Sequence, residues 1–333
     1  MSESFLIRLS TNRFCRRLLG NPFLRVNQAV WNRLPPSWKM LRIAWRYGAF
    51  LHSLVKMRSN RFQVHGTFFM RNRPEIEVIR SLAEQRPTAA KLKISVIACS
   101  NGAEVYSILY AIRSARPDLR LEVHAIDISQ EIINVAREAV YSPAKTALVG
   151  ENVFERLTQQ EIADIFDEEN GRFRIKPWIS QGIDWRTGDA FDPQLAKQLG
   201  PADIVIANKF LCHMKPPQAE ACLRNLVTFV KPDGYLFVSG VDLDVRTKVA
   251  LDLAWIPVPE LMREIHDGDP SVRRDWPLRY WGLEPFDQKK NNWNVRYASA
   301  FQLVPHLRHE ISGSQDDSAV SFPVYDREVD ATR

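Results

Sequence analysis

Asp127 and Asn208 each stand at or just past the end of an apolar run, Asp189 just past the strand-like Ile183–Thr187, and Ser100-Asn101-Gly102 follows a further apolar run. Carboxylates and an amide in such positions can hold the hydroxyl and amino groups of a small polar ligand. Asp127 lies 25 residues after Gly102, a separation at which an acid can accept both hydroxyls of a ribose. Gly102 lets backbone approach a ligand closely, and a helix starting there presents free N–H groups to it. Taken singly, each residue has a plainer role. Gly102 suits any strand-to-helix turn, and Asp127 suits the acid at a helix start. Ser-Asn-Gly is not Gly-x-Gly-x-x-Gly, so the dinucleotide fingerprint is absent.

Two further residues could act in catalysis. His213 could serve as a general base for a hydroxyl or amine acceptor, or simply pack at a helix start. Arg86 could orient an acidic acceptor, or be a solvated surface cation. Cys212 neighbours His213, but residues adjacent in sequence rarely face each other, so no nucleophile pair is read there. Trp276, Tyr280, Trp281 and Trp293 could shape an acceptor pocket, although aromatic residues more often just bury area. The four cysteines, Cys15, Cys99, Cys212 and Cys222, have neither metal-type nor disulfide-type spacing. No metal is expected.

These residues need elements to position them. The periodicity predicts a helix over Pro74–Gln85, a strand Lys93–Ala98, a helix Ala103–Arg116 and a strand Leu121–Ile126. Ser129 can cap a helix Gln130–Glu138. Residues 141–182 read as polar and irregular, with a helical piece at Gln159–Phe166 and a short strand at Phe173–Ile175. Strands follow at Ile183–Thr187, Ala202–Ala207 and Tyr235–Ser239, with a helix Gln218–Val230. After Gly240 the pattern loosens. Residues 254–292 read as an insertion or lid, and Asn294–Leu303 as a last strand. Alternation of strand and helix implies a parallel sheet with helices on both faces. Continuous apolar strands such as Ile204-Val205-Ile206 fit a sheet covered on both sides. The fold class is therefore α/β, Rossmann-like, preceded by a small basic all-α region. In such sheets ligands bind outside the carboxyl ends of the strands, which is where Asp127, Asp189 and Asn208 fall.

The chain has 333 residues, is 45% hydrophobic and carries a net charge of +6. The charge is uneven. Residues 1–62 hold ten Arg and two Lys against one acid, Glu3, a net +11 that leaves −5 for the remainder. An excess of that size attracts an acidic surface: an acidic protein first, nucleic acid or an anionic membrane second. No apolar run approaches the roughly 18 residues of a membrane span, and no secretory signal is read. The expected location is the cytoplasm.

A family resemblance joins these pieces. Ala98-Cys99-Ser100-Asn101-Gly102-Ala103-Glu104-Val105-Tyr106-Ser107-Ile108 resembles the A-x-S-x-G-E-E-P-Y-S-I motif of the bacterial chemotaxis receptor methyltransferases, the CheR type. Thr67-Phe68-Phe69-Met70-Arg71 resembles that family's T-x-F-F-R segment. Ala125-Ile126-Asp127-Ile128-Ser129 is similar to its A-S-D-I-D, and Lys231-Pro232-Asp233-Gly234-Tyr235-Leu236-Phe237 to its K-P-D-G-x-L-F. The match spans roughly residues 65–240 in order. It implies S-adenosylmethionine as cofactor, and it implies contacts. Thr67 and Arg71 would reach the methionine end, and Glu104 the methionine ammonium, above Ser100 and Gly102 in the turn. Asp127 would hold the ribose, Asp189 and Ala190 would sit at the adenine, and Asn208 would fall near the family's Arg-Asn pair. The sequence departs on the acceptor side. The family's R-N-x-x-I-Y-F stretch becomes Asn208-Lys209-Phe210-Leu211-Cys212-His213-Met214, with no clear counterpart for the tyrosine. The family's receptor-contacting β-subdomain would fall in residues 168–185.

The resemblance implies methyl transfer by in-line displacement, with a protein side-chain carboxylate as acceptor and a glutamate O-methyl ester as product, as in chemotaxis. A carboxylate is already ionised at neutral pH, so such a reaction needs positioning and water exclusion more than a base. Two alternatives are a methyltransferase for a small molecule or another nucleophile, and a non-catalytic cofactor-sensing or nucleic-acid- or membrane-binding protein. The expected domains are a basic helical region over 1–88, a methyltransferase domain over 89–308, and a disordered tail over 309–333.

Overall fold

The computed structural model describes residues 20–59, 65–143 and 152–304. The expected tail over 309–333 and Cys15 lie outside these residues. The chain opens on helices α1 (Gly20–Arg33), α2 (Pro36–Lys39), α3 (Arg42–Arg58) and α4 (Arg73–Glu84). Strand β1 (Lys91–Ile97) then leads into helix α5 (Ala103–Ala115), β2 (Arg120–Asp127) into α6 (Gln130–Glu138), and a short β3 (Val140–Tyr141) follows. Next come α7 (Gln159–Ile165), β4 (Phe166–Glu169), β5 (Arg172–Ile175), α8 (Pro177–Ser180), β6 (Ile183–Thr187), α9 (Pro193–Leu199) and β7 (Ala202–Ile206). A 3-10 turn Leu211–His213 precedes α10 (Pro216–Leu226), β8 (Val230–Phe237), α11 (Leu243–Asp252) and β9 (Ile256–Pro257). Helices α12 (Met262–Asp267), α13 (Pro270–Asp275) and α14 (Trp293–Tyr297) and strand β10 (Ala300–Gln302) complete the described chain.

The main sheet has seven strands in the order β6-β2-β1-β7-β8-β10-β9. β6, β2, β1, β7 and β8 run parallel, and β10 is antiparallel to both of its neighbours. Every residue of β7 is buried, which fits the apolar run Ile204-Val205-Ile206: both faces are covered. One core lies between the sheet and α4, α5 and α6, including Ile76, Ile79, Val105, Ile108 and Ile132. The other holds Leu195, Leu223, Leu226, Val249 and Tyr297, from α9, α10, α11 and α14. The strand order reverses between β1 and β7, so the loops leaving their carboxyl ends diverge and open a crevice.

The expected division at residue 88 falls between α4 and β1. Yet Ile76, Val78 and Ile79 of α4 share one core with Leu92 and Ile94 of β1. A separate small cluster fastens the helices before α4. Trp31, Leu51 and Trp276 pack together, with Trp31 edge-on to Trp276 at 5.6 Å between centroids. Residues 254–292, expected as an insertion or lid, hold α12 and α13 and are packed against both the N-terminal helices and the crevice.

Two stretches differ from expectation. Residues 294–297 form helix α14 instead of the start of a strand, and only Ala300–Gln302 are extended. The helix turns Arg296 and Tyr297 toward one acceptor, since Arg296 Nε (2.7 Å) and Tyr297 Oη (3.0 Å) both bond Glu284 Oε1. Residues 141–182 are more regular than expected, because β3, β5 and β4 form a three-stranded antiparallel sheet. Its hairpin turns through Asn170 (φ 53°) and Gly171 (φ 72°), an Asn-Gly pair of the kind that matches strand twist.

Gly102 sits at φ 84° at the start of α5, where a Cβ would meet Trp185 at 2.9 Å and Ala136 and Tyr106 at 3.1 Å. Left-handed backbone costs a residue with a Cβ about 1–2 kcal/mol, and the crowding adds to it. Gly102→Ala should lower unfolding free energy by about 2 kcal/mol in urea titration. An unchanged midpoint would refute this account of the turn.

Candidate functional site

The crevice begins with the turn after β1. Ala98 (φ 57°), Ser100 (φ 51°) and Gly102 (φ 84°) all adopt left-handed backbone within five residues. Strain of this density persists only where surrounding bonds over-determine it. Here Cys99 N donates to Ile126 O at 2.9 Å, and Ser100 N donates to Asp127 Oδ2 at 2.9 Å. Ser129 N donates to Asp127 Oδ1 at 3.0 Å. Asp127 is thus held by two backbone amides from two loops. Each of its oxygens keeps lone-pair capacity for a further donor. Ser100 Oγ donates to His65 O at 2.9 Å, which draws the segment before α4 over the turn.

Behind the turn lies a buried polar bridge. Asn208 Nδ2 donates to Glu75 Oε1 (2.5 Å) and to Glu104 Oε1 (2.9 Å). Its Oδ1 accepts from Ser239 N (2.9 Å) and Ser239 Oγ (2.8 Å). The acceptor role of Oδ1 fixes the amide's orientation, so both N–H bonds must point at carboxylates. Glu75 is 3% exposed. Burial pushes its carboxyl up to about 7, and the nearby Glu104 charge pushes the same way against the Asn208 bond. Burial also raises Glu104, opposed by Asn208 and Arg71.

A third feature closes the side of the crevice. Asp269, which leads into α13, is 3% exposed. It accepts from Arg71 Nε at 3.2 Å and Arg156 Nη2 at 3.0 Å, with Lys209 Nζ 3.9 Å away. Arg71 Nη1 also donates to Gly66 O at 3.1 Å. Lys209 has φ 61°, and Gly240 packs so tightly beneath it that a Cβ there would lie 2.5 Å from Lys209 Cα. Burial lowers the Lys209 ammonium's pKa, as does the Arg71 charge.

These residues enclose a cavity of about 270 Å³, near the lower end of the roughly 300–1,000 Å³ usual for small-molecule sites. Thr67, Arg71, Ser100, Glu104, Asp127, Asp189, Ala190 and Asn208 all line it. Gly102 does not line it but shapes the turn from behind. His213 lines it too, with Nδ1 3.0 Å from the Tyr280 hydroxyl. Arg86 is elsewhere: its Nη2 reaches Asp203 Oδ1 at 3.4 Å, at the amino end of β7, the opposite end of the strands from the crevice. Sequence reasoning missed His65, Ile128, Lys209, Phe210 and Met214. Ile128 offered one signal, an apolar residue directly after Asp127, and it is 55% exposed at the cavity.

A second hollow of about 720 Å³ adjoins the first, sharing Gly66, Arg71, Lys209 and His213 with it. Its other walls include Arg73, Arg156, Arg274 and Trp281, with Glu155 and Asp275 as the acids. The joint site therefore has a mixed-charge inner chamber and a cationic outer groove. Among the described residues no group of three or more His, Cys, Asp or Glu could hold a metal ion. No described helix is long and apolar enough to cross a membrane.

The Glu75 carboxyl sets a pH dependence. Below about 4.5, its ordinary value, it is neutral in folded and unfolded chains alike. Between there and about 7 only the folded chain keeps the proton, so stability falls as pH rises and levels off above. The fall should be on the order of 3 kcal/mol. Glu75→Gln should flatten that part of the profile in denaturant titrations from pH 5 to 8. A parallel profile in the variant would disprove the assignment.

Comparison with known proteins gives one matching family model. Residues 65–246, more than half of the chain, match the CheR methyltransferase SAM-binding domain. The "Probable biofilm formation methyltransferase WspC" of Pseudomonas putida is 28% identical over 191 residues, 56% of this chain and 43% of that protein. The "Chemotaxis protein methyltransferase Cher2" of the same organism is 28% identical over 178 residues, 51% of this chain and 60% of that one. The "Chemotaxis protein methyltransferase" of Escherichia coli is 24% identical over 225 residues, covering 62% and 73%. The chain thus spans about half the length of the two Pseudomonas relatives. With the turn after β1, the acid ending β2 and the parallel sheet all inside the matched residues, this protein belongs to the CheR methyltransferase family.

Proposed function

We propose that the inner chamber binds S-adenosylmethionine and that the chain transfers a methyl group to a protein side-chain carboxylate, giving a glutamate O-methyl ester. One observation carries this: a chamber with both acids and a cation opens directly into a cationic groove. The donor set fits the cofactor. An amino-acid end needs one acceptor and one cation, and Glu104 and Arg71 offer them on the same wall. Arg71 spends Nε on Asp269 and one bond of Nη1 on Gly66, which leaves Nη2 for a carboxylate. Thr67 flanks that end, and Asn208 holds Glu104 in place from behind. Asp127, held by Ser100 and Ser129, is ready for ribose hydroxyls. Ile128 offers an apolar face for a base, with Asp189 and Ala190 beside it.

Bound S-adenosylmethionine supplies an electrophilic methyl group on a sulfonium. The groove's part is to bring an acceptor to that end of the chamber and exclude water. Arg274 favours an acidic partner, beside Arg73, Arg156 and Lys209, whose charges Glu161 and Asp269 offset in part, and an ionised carboxylate needs no base. A second reading rests on His213, which lines both chamber and groove. There it would accept a proton from a hydroxyl or amine acceptor, on a small molecule or another side chain. We also propose a domain boundary near residue 60 in place of 88, because α4 belongs to the sheet's core, and a closing role for residues 254–292 through Asp269.

Calorimetry should detect S-adenosylmethionine binding, weakened at least about tenfold by Asp127→Ala, the order expected for a lost pair of hydroxyl bonds. Absence of heat with the unaltered chain would overturn the cofactor assignment. Tritiated methyl groups should enter lysate protein in an alkali-labile form. Alkali-stable label would favour the His213 reading instead. Arg274→Glu should raise KM for the acceptor severalfold with cofactor affinity unchanged, and an unchanged KM would remove the groove from acceptor recognition.

A further inference from the structure

Charge alone leaves the partner of the N-terminal segment open among acidic protein, nucleic acid and anionic lipid. The side chains exposed there narrow it. Helices α2 and α3 meet at a corner, Trp38 to Ile43, in which four of six residues are apolar and exposed. Trp38 is 59% exposed, Met40 76%, Leu41 59% and Ile43 83%. Scattered exposed apolar residues are ordinary, but a contiguous patch is not. The two remaining residues of the corner are Lys39 and Arg42, and Arg33 and Arg46 flank it. Helix α1 adds Phe23, Val26 and Val30 at i, i+3 and i+7, at 43%, 62% and 47% exposure. This stripe is separate from Trp31, which is buried against Leu51 and Trp276.

The anchoring of the corner matters. Trp31, Leu51 and Trp276 bury the inner side of these helices, His52 Nδ1 lies 3.2 Å from Pro277 O, and Lys56 pairs with Asp244 at 3.3 Å. The apolar corner is therefore the outer side of a packed element. Pairing of this corner with the same corner of a second copy would bring together two segments of the same charge, which repel. Residues 1–19 of this chain carry four Arg against Glu3 and meet the same objection. Nucleic acid and acidic protein would satisfy the cations but not four exposed apolar side chains in one corner.

We propose that the α2–α3 corner docks on an anionic membrane surface, with Trp38, Met40, Leu41 and Ile43 entering the acyl boundary and the exposed Arg42 and Arg46 meeting lipid phosphates. Interfacial attachment needs these two signals together, apolar insertion and charge.

The test is co-sedimentation of the full chain with phosphatidylcholine vesicles, with and without phosphatidylglycerol. Binding should require the anionic lipid and weaken with salt. Leu41→Ser with Ile43→Ser should cut it at least about tenfold, because each loses most of its transfer free energy. Arg42→Gln with Arg46→Gln should cut it by about fivefold for each charge removed. Bromine-labelled acyl chains should quench Trp38 fluorescence, read as the difference from Trp38→Phe, and this arm needs no destabilising variant. Failure to sediment with anionic vesicles overturns the proposal. So does binding that survives the Leu41 and Ile43 substitutions, which would point to a purely charged partner such as nucleic acid or acidic protein.

Discussion

The Asn208 side chain ties four elements into one site. It holds Glu75 of α4, Glu104 of α5 and Ser239 beyond β8 while standing just past β7. An amide is suited to this place. It can donate to two carboxyls and accept from a hydroxyl and a backbone amide at once, which neither a carboxylate nor a hydroxyl could do. Two carboxyls so close in a buried space cannot both ionise freely. The one deeper in, Glu75, keeps its proton longer, and Glu104 at the chamber wall is the one available to a cation. The position of the bridge at the reversal of strand order follows from topology. Only there do the loops after β1 and β7 part and leave room for α4 to send a residue between them.

The same economy governs the rim. Asp269 gathers Arg71, Arg156 and Lys209 around one buried carboxylate. Removing any one cation would leave the others in place, whereas removing the acid would leave three cations facing each other. That asymmetry makes Asp269 the residue that ties residues 254–292 to the rim of the crevice. It also rations Arg71: two of its nitrogens are committed, so its remaining nitrogen has a definite direction. The strained backbone of Lys209, seated on Gly240, extends the β7–β8 ladder by donating to Ser239 O at 2.9 Å, while its side chain joins this cluster.

Much of this was legible in the chain. The parallel core was, because β7 is buried along its whole length and the carboxyl ends of β1 and β8 are buried too, which demands apolar residues such as Val96-Ile97, Ile204-Val205-Ile206 and Leu236-Phe237 there. The turn after β1 and the acids at strand ends were, because left-handed backbone and open strand ends demand particular residue types. The Asn170-Gly171 hairpin was available as a signal. Helix α14 was not, because Val295 and Tyr297 alternate as a strand would, and only the pull of Glu284 on Arg296 and Tyr297 selects a helix there. Arg86 shows the limit of proximity in sequence. It follows α4 directly, yet its helix runs to the amino edge of the sheet, where Asp203 takes it.

What the sequence determined by itself was the class of fold and the turn and strand-end residues that line the inner chamber: apolar strands, a glycine turn, and the motif order from Thr67 to Phe237. Those are local demands, made by backbone geometry and by burial, and local residues answer them. Tertiary structure decided everything that depends on distant residues meeting. It paired Glu75 with Glu104 through Asn208, set Asp269 against Arg71, opened the cationic groove beside the chamber, and left the α2–α3 corner bare. No spacing rule encodes these, because each is settled by which faces remain after the core is packed.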